Sequence, residues 1–116
     1  MEKLIATIVE AIEDKKGKNI VSIDLSGFDG AICSSFIVCN AESTTQVAAI
    51  AEGIDRMVSE VLGESPRRIE GAQNSFWIAI DYVDVMVHVF QTELRDFYRL
   101  EQVWVGAPMT KHEYEE

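Results

Sequence analysis

At 116 residues the chain suits one domain, long enough to bury roughly two thirds of its unfolded surface without disulfides or metals. A hydrophobic content of 47% with 26% charged residues is that of an ordinary globular domain and excludes a wholly disordered chain. The formal net charge is -10, and beyond residue 18 the balance is 16 acids against 6 bases. Such a surface repels phosphate, which disfavours direct nucleic-acid or anionic-membrane binding and makes a basic protein the natural partner.

Leu4, Ile5, Ile8, Val9 and Ile12 recur at helical spacing, with Glu10, Glu13 and Asp14 on the opposite face. Lys15, Lys16 and Gly17 close this first helix. Asn19 to Leu25 reads as a strand, Ser26 to Gly30 as a turn, and Ser35 to Cys39 as a second strand. If Cys33 and Cys39 lie in one extended stretch, their Cα atoms stand about 20 Å apart, too far for a disulfide. With neither a secretory leader nor a membrane-length apolar run, the expectation is a cytoplasmic protein with reduced thiols that pack as small hydrophobes.

Ser43 with Gln46 predicts a capping box ahead of a second helix. Val47, Ile50, Ala51, Ile54, Val58, Val61 and Leu62 form its apolar stripe, and Gly63 supplies the left-handed terminator. Pro66 forbids continuation, and Arg67 to Gly71 reads as a polar edge strand. After Phe90, the segment Glu93 to Leu100 suits a short helix with Phe97 and Tyr98 facing opposite ways. The expected domain spans residues 1–107, and 108–116 is expected to be a charged, frayed tail. The resulting order predicts an α/β or α+β sheet of about five strands, with helices on at least one face.

The stretch Phe76 to Phe90, FWIAIDYVDVMVHVF, reads as a hairpin whose two arms are rich in β-branched and aromatic residues. A tight turn at Tyr82 and Val83 would pair Ile80 with Val85, Ile78 with Val87 and Phe76 with Val89 on an apolar face. The other face would carry Trp77 beside His88, Ala79 beside Met86 and Asp81 beside Asp84. In that register the two carboxylates lie roughly 5 Å apart at Cβ and need a cation between them. A metal, a basic residue of this chain such as Arg95, or a basic partner would serve.

A catalytic metal pair would also need a phosphate-gripping element, and the glycines are scattered without P-loop or dinucleotide spacing. His88 is alone in an apolar run, and the serines lack an elbow motif. The expectation is therefore no enzyme, no cofactor and no metal, with Asp81 and Asp84 as turn residues in the ordinary alternative. Trp77, Tyr82, Tyr98 and Trp104, taken singly, fit a core. As a set around a carboxylate pair they fit an interface, whose centre favours Trp and Tyr.

Several longer motifs carry a resemblance: KKGKNI at 15–20, Ser43 to Ile54, Glu70-Gly71, W-x-x-x-D-Y-x-D-V-x-V-H-V-F from Trp77 to Phe90, and R-x-F-Y-x-L-E-x-V-W from Arg95 to Trp104. In these the chain resembles the ribosomal silencing factor family, RsfS, also called Iojap. The resemblance implies an α/β mixed sheet flanked by two longer helices and a short C-terminal helix, nucleotidyltransferase-like but non-catalytic. It also implies binding to the large ribosomal subunit through its fourteenth protein, a steric block to joining of the small subunit, and repression of translation under nutrient limitation.

Carried over by position, Trp77, Asp81, Tyr82, Asp84, His88, Tyr98, Glu101 and Trp104 are the implied partner-binding residues, and Arg95 the one that orients carboxylates. The chain departs from the family pattern at Val83, where many members have Gly. A β-branched residue resists positive φ, so a loop wider than two residues is expected there. Ser34, Ser35 and Thr45 also stand where many members carry Asp, an aromatic and Arg. Two other functions compete: a degenerate nucleotidyltransferase-like enzyme with an Asp81/Asp84 metal site, and a homodimerisation module in which Trp77 and Met86 meet a second copy.

Overall fold

A computed structural model describes residues 1–112. In chain order its elements are helix α1 (Glu2–Asp14), strands β1 (Lys18–Asp24) and β2 (Ser35–Ala41), helix α2 (Thr44–Leu62), strands β3 (Arg68–Glu70), β4 (Trp77–Asp81) and β5 (Val85–Gln91), helix α3 (Thr92–Tyr98), a 3-10 turn (Leu100–Gln102) and strand β6 (Met109–His112). The strands form one mixed sheet in the order β3-β4-β5-β2-β1-β6. Only β2 and β5 run parallel, and the polypeptide between them crosses over through α2. A parallel neighbour requires such a crossover, and this one lays a helix over the sheet.

All seven residues of β2 are buried, as a strand covered on both faces must be. Beneath α1 and α2 lie Ile37, Cys39, Ile78, Ile80, Val85, Val87 and Val89, packed with Ile8 and Ile12 of the first helix and Val47, Ile50, Ile54 and Val58 of the second. Each fully buried aliphatic side chain of this kind stabilises the fold by about 1.5 to 3 kcal/mol. The stripe read from the spacing of α2 is thus the one that meets the sheet. Its start is capped as expected, Ser43 Oγ accepting from the Gln46 N–H at 3.1 Å, and Gly63 closes it at φ 66°. The Gln46 side chain does not return to Ser43; its amide donates to the Lys15 and Lys16 carbonyls at the end of α1, tying the two helices together.

Two expectations change. Residues 109–112 are a sixth strand, pairing antiparallel with β1, so a tail beginning at 108 is too early; residues 113–116 lie outside the described part. The hairpin register also differs by two residues: Ile80 faces Val87, Ala79 faces His88, and Asp81 faces Met86. A shift of two keeps each side chain on its expected face but replaces every cross-strand neighbour. Its cause is the turn. Val83 adopts φ 76° and Asp84 N–H donates to the Tyr82 carbonyl at 3.0 Å, a γ-turn of the strained, positive-φ kind. The loop therefore has two residues, Val83 and Asp84, rather than the wider form that a β-branched residue predicts.

Candidate functional site

The sheet face away from α1 and α2 is unevenly covered. Over β1 and β2 it is roofed by Phe28, Leu100, Trp104 and Ala107, packed on Val21, Ile23, Phe36 and Val38. Over β4 and β5 the cover thins, and Trp77, Ala79 and Met86 are only half-buried. Tyr98, at the end of α3 and 47% exposed, leans on Trp77 with ring centroids 4.9 Å apart, and Phe90 stacks beneath Trp77 at 4.8 Å. Edge-to-face contacts continue the series from His88 to Phe36 at 4.6 Å, Phe36 to Trp104 at 6.4 Å and Trp104 to Phe28 at 5.6 Å. Alternation along β4 and β5 places Trp77, His88 and Phe90 on this one face, and α3 adds Tyr98.

His88 is buried, and its Nδ1 accepts a hydrogen bond from Trp77 Nε1 at 3.0 Å. The ring proton therefore sits on Nε2, which has no hydrogen-bond partner among the described residues. Desolvation pushes the imidazole pKa down to about 4, so the ring is neutral near pH 7. Trp77 and His88 are diagonal neighbours, not the directly opposed pair expected.

Asp81 is not a free charge. Its Oδ1 accepts from the Val83 N–H at 2.8 Å and its Oδ2 from Arg67 Nη2 at 2.6 Å. The Val83 N–H and, after it, the Arg67 guanidinium hold this carboxyl below the ordinary carboxylate range, although burial acts in the opposite direction. Arg67 was the missed residue. It sits just before β3, fourteen positions from Asp81, and no periodicity announces such a pairing. Arg95, expected to answer Asp81 or Asp84, instead turns its buried guanidinium to Glu101 at 3.0 Å, to Asn40 Oδ1 at 2.9 Å and to the Asn19 carbonyl. It orients one predicted carboxylate, Glu101, and not the hairpin pair.

The remaining predicted residues separate. Tyr82 lies buried on the helix-covered face, in one cluster with Ile78 and Ile80. Asp84 is exposed at the hairpin tip, and its carbonyl accepts from the N–H groups of Ser34 and Ser35 at 2.8 and 3.1 Å, which holds the loop before β2 against the hairpin. Arg95 and Glu101 line an open polar groove of about 1350 Å³ together with Lys16, Lys18, Asp96 and Lys111. The structure thus brings together Trp77, His88, Tyr98 and Trp104 in one aromatic series, leaves Asp84 at the tip, and places Tyr82 on the opposite side. Among the described residues no three His, Cys, Asp or Glu side chains converge as metal ligands, and both cysteines are free. None of the described helices is long and apolar enough to cross a membrane.

Comparison with known proteins adds an independent line. The family model described as "Ribosomal silencing factor during starvation", RsfS, matches residues 1–116. The chain is 35% identical over 112 residues to ribosomal silencing factor RsfS of Halalkalibacterium halodurans, covering 97% of this chain and 94% of that one. It is 34% identical over 99 residues to the protein of the same name from Bacillus subtilis, with 85% and 82% covered. A crystal structure of a Bacillus halodurans protein superposes with a TM-score of 0.82 at 32% identity, covering 97% of this chain and all of the other. One from Chromobacterium violaceum does so with a TM-score of 0.85 at 29% identity, with 98% and 93% covered. By sequence over its whole length and by fold, the chain belongs to the RsfS family of ribosomal silencing factors.

Proposed function

We propose that the chain represses translation by binding, not by catalysis: the Trp77 face docks on a basic surface of the large ribosomal subunit, its fourteenth protein, and the bulk of the domain keeps the small subunit away. The observation that carries this reading is the half-exposed platform of Trp77 and Tyr98, which the short helix α3 packs against without burying, on a chain of net charge -10. Aromatic anchors in an apolar centre supply most of the energy of such an interface, and a complementary charge field speeds encounter. Trp77, Tyr98 and Trp104 give the apolar contact in this reading. Asp84 and Glu101 give charge, while Asp81, Tyr82 and His88 hold the platform from inside. The site of action is the cytoplasm.

Sucrose gradients with purified subunits test it. Excess protein is expected to leave large and small subunits unjoined at magnesium concentrations that otherwise yield whole ribosomes, and unchanged joining overturns the reading. Asp84→Lys places a cation at the exposed hairpin tip without touching a buried group. It should slow association by about tenfold and leave the unfolding free energy within about 0.5 kcal/mol of the parent. Two free chains pairing through the same aromatic face would compete with docking, which scattering mass measured against concentration would reveal.

A further inference from the structure

We infer that His88 is a positioning residue for docking: by accepting the indole N–H of Trp77, it sets the plane of that ring and removes its only polar group from the surface offered to the partner. This rests on the docking reading above and goes beyond it by assigning the orienting group.

Three observations carry the inference. The Trp77 Nε1 to His88 Nδ1 distance is 3.0 Å, that of a direct hydrogen bond. The acceptor is fixed in its turn, because His88 is 95% buried between the flanking strands and packs edge to face on Phe36 at 4.6 Å. The imidazole also carries a cost that packing alone would not demand. With Nδ1 accepting, the proton must sit on Nε2, and that buried donor has no partner among the described residues. Leucine would fill a similar space on this face without an unsatisfied donor. What leucine cannot do is accept the indole proton.

The other contacts of Trp77 restrain it less specifically. Phe90 stacks on it and Tyr98 leans against it, but these stacked and tilted contacts do not distinguish the indole from its flipped orientation after rotation about χ2. The hydrogen bond removes that rotation and selects one rotamer of a side chain that is otherwise half-exposed. Pre-ordering an anchor side chain removes part of the entropy cost of association. A partner group arriving at Trp77 then meets a ring with no free donor. It is selected by shape and by contact with the π face, as the methylene stem or cation of lysine or arginine would be.

The test has a spectroscopic arm and a binding arm. In the free wild-type protein, nitrogen NMR should show a coupling across the hydrogen bond between Trp77 Nε1 and His88 Nδ1, the Nε2–H tautomer of His88, and slowed exchange of the Trp77 indole proton. In the binding arm, purified large ribosomal subunits are titrated with wild type, His88→Leu and His88→Asn. The asparagine Oδ1 stands close to where Nδ1 stands and restores an acceptor; leucine does not. His88→Leu should lose about tenfold in affinity, and His88→Asn should stay within about threefold of wild type. The Nδ1–H tautomer, or equal binding by His88→Leu and wild type, overturns the positioning role. So does His88→Asn binding no better than His88→Leu. Should His88→Leu fail to fold, His88→Asn and the wild-type coupling decide: tight binding with the coupling supports the role, and weak binding by a folded His88→Asn overturns it. Wild type that does not bind the subunit at all overturns the docking reading itself, a distinct result because the indole coupling is measured without any subunit.

Discussion

The two faces of the sheet come from the same strands, and alternate residues of β4 and β5 divide between them, yet they differ in kind. Beneath α1 and α2 the side chains are mostly aliphatic and close-packed; the polar exceptions include the Cys39 thiol, whose pKa burial pushes up to about 12, and the Tyr82 hydroxyl, which has no hydrogen-bond partner among the described residues, and burial keeps both uncharged. On the other face the cover is complete over β1 and β2, but over β4 and β5 it leaves Trp77, Ala79 and Met86 half-buried around aromatic neighbours and a histidine engaged through one nitrogen only. The first face contributes stability through removed area. The second, over β4 and β5, leaves aromatic surface half-exposed and holds the Trp77 indole by a hydrogen bond to His88.

This contrast can be broken by substitution. Ile80→Ala, under the helices, should lower the unfolding free energy by about 3 to 4 kcal/mol, while Met86→Ala on the opposite face should cost less than about half of that; denaturant titration reads both, and equal losses would erase the distinction. Next comes a dependence on pH. The folded pKa of His88, about 4, lies below the ordinary histidine value of 6.5. The unfolded state therefore binds the proton first, so the stabilisation from burying the neutral ring is fully present above pH 6.5 and is lost progressively as pH falls toward 4. The expected loss is on the order of 3 kcal/mol. His88→Leu should flatten the curve in this window. Asp81, whose value is lowered, yields its contribution only below the ordinary carboxylate value of 3.8, which leaves the upper window to the histidine. A curve equally steep in wild type and His88→Leu would assign the acid sensitivity elsewhere.

The smallest effect concerns the hairpin tip. Val83 at φ 76° is a strained position for a β-branched residue. Val83→Gly should raise stability by about 1 kcal/mol, net of the extra freedom glycine brings to the unfolded chain. A loss on this substitution would mean that the half-exposed Val83 side chain makes contacts worth more than the strain.

Much of the fold could be read along the chain because local rules agree with one another there. In α2 the stripe, the Ser43 cap and the Gly63 terminator all specify one helix, and in β4 and β5 the alternation specified which side chains share a face. The register did not follow, because it depends on a conflict: positive φ is disfavoured at Val83, but moving the turn to Val83 and Asp84 lets Tyr82 join Ile78 and Ile80 under α2. Burial of a large aromatic side chain acts against about 1 to 3 kcal/mol of turn strain, and that comparison requires the helix to be in place. β6 was equally hidden. Its residues are Met109, Thr110, Lys111 and His112, mostly exposed, with no pattern of their own, and backbone pairing with β1 makes them a strand. For the site, the aromatic members were visible as residue types. The ion pairs were not, because Arg67 with Asp81 and Arg95 with Glu101 depend on which elements the topology brings side by side.

The margins of the sheet bear on how the protein behaves at high concentration. β3 is three residues long and β6 is described over four, and their exposed side chains include Arg68, Glu70 and Lys111. A short, charged margin such as β3 offers a neighbouring molecule few backbone groups in a row, so growth of the sheet from one molecule into the next is discouraged at that end. Fibrous association through strand addition at β3 is thereby disfavoured, even though the interior strands are rich in Val and Ile.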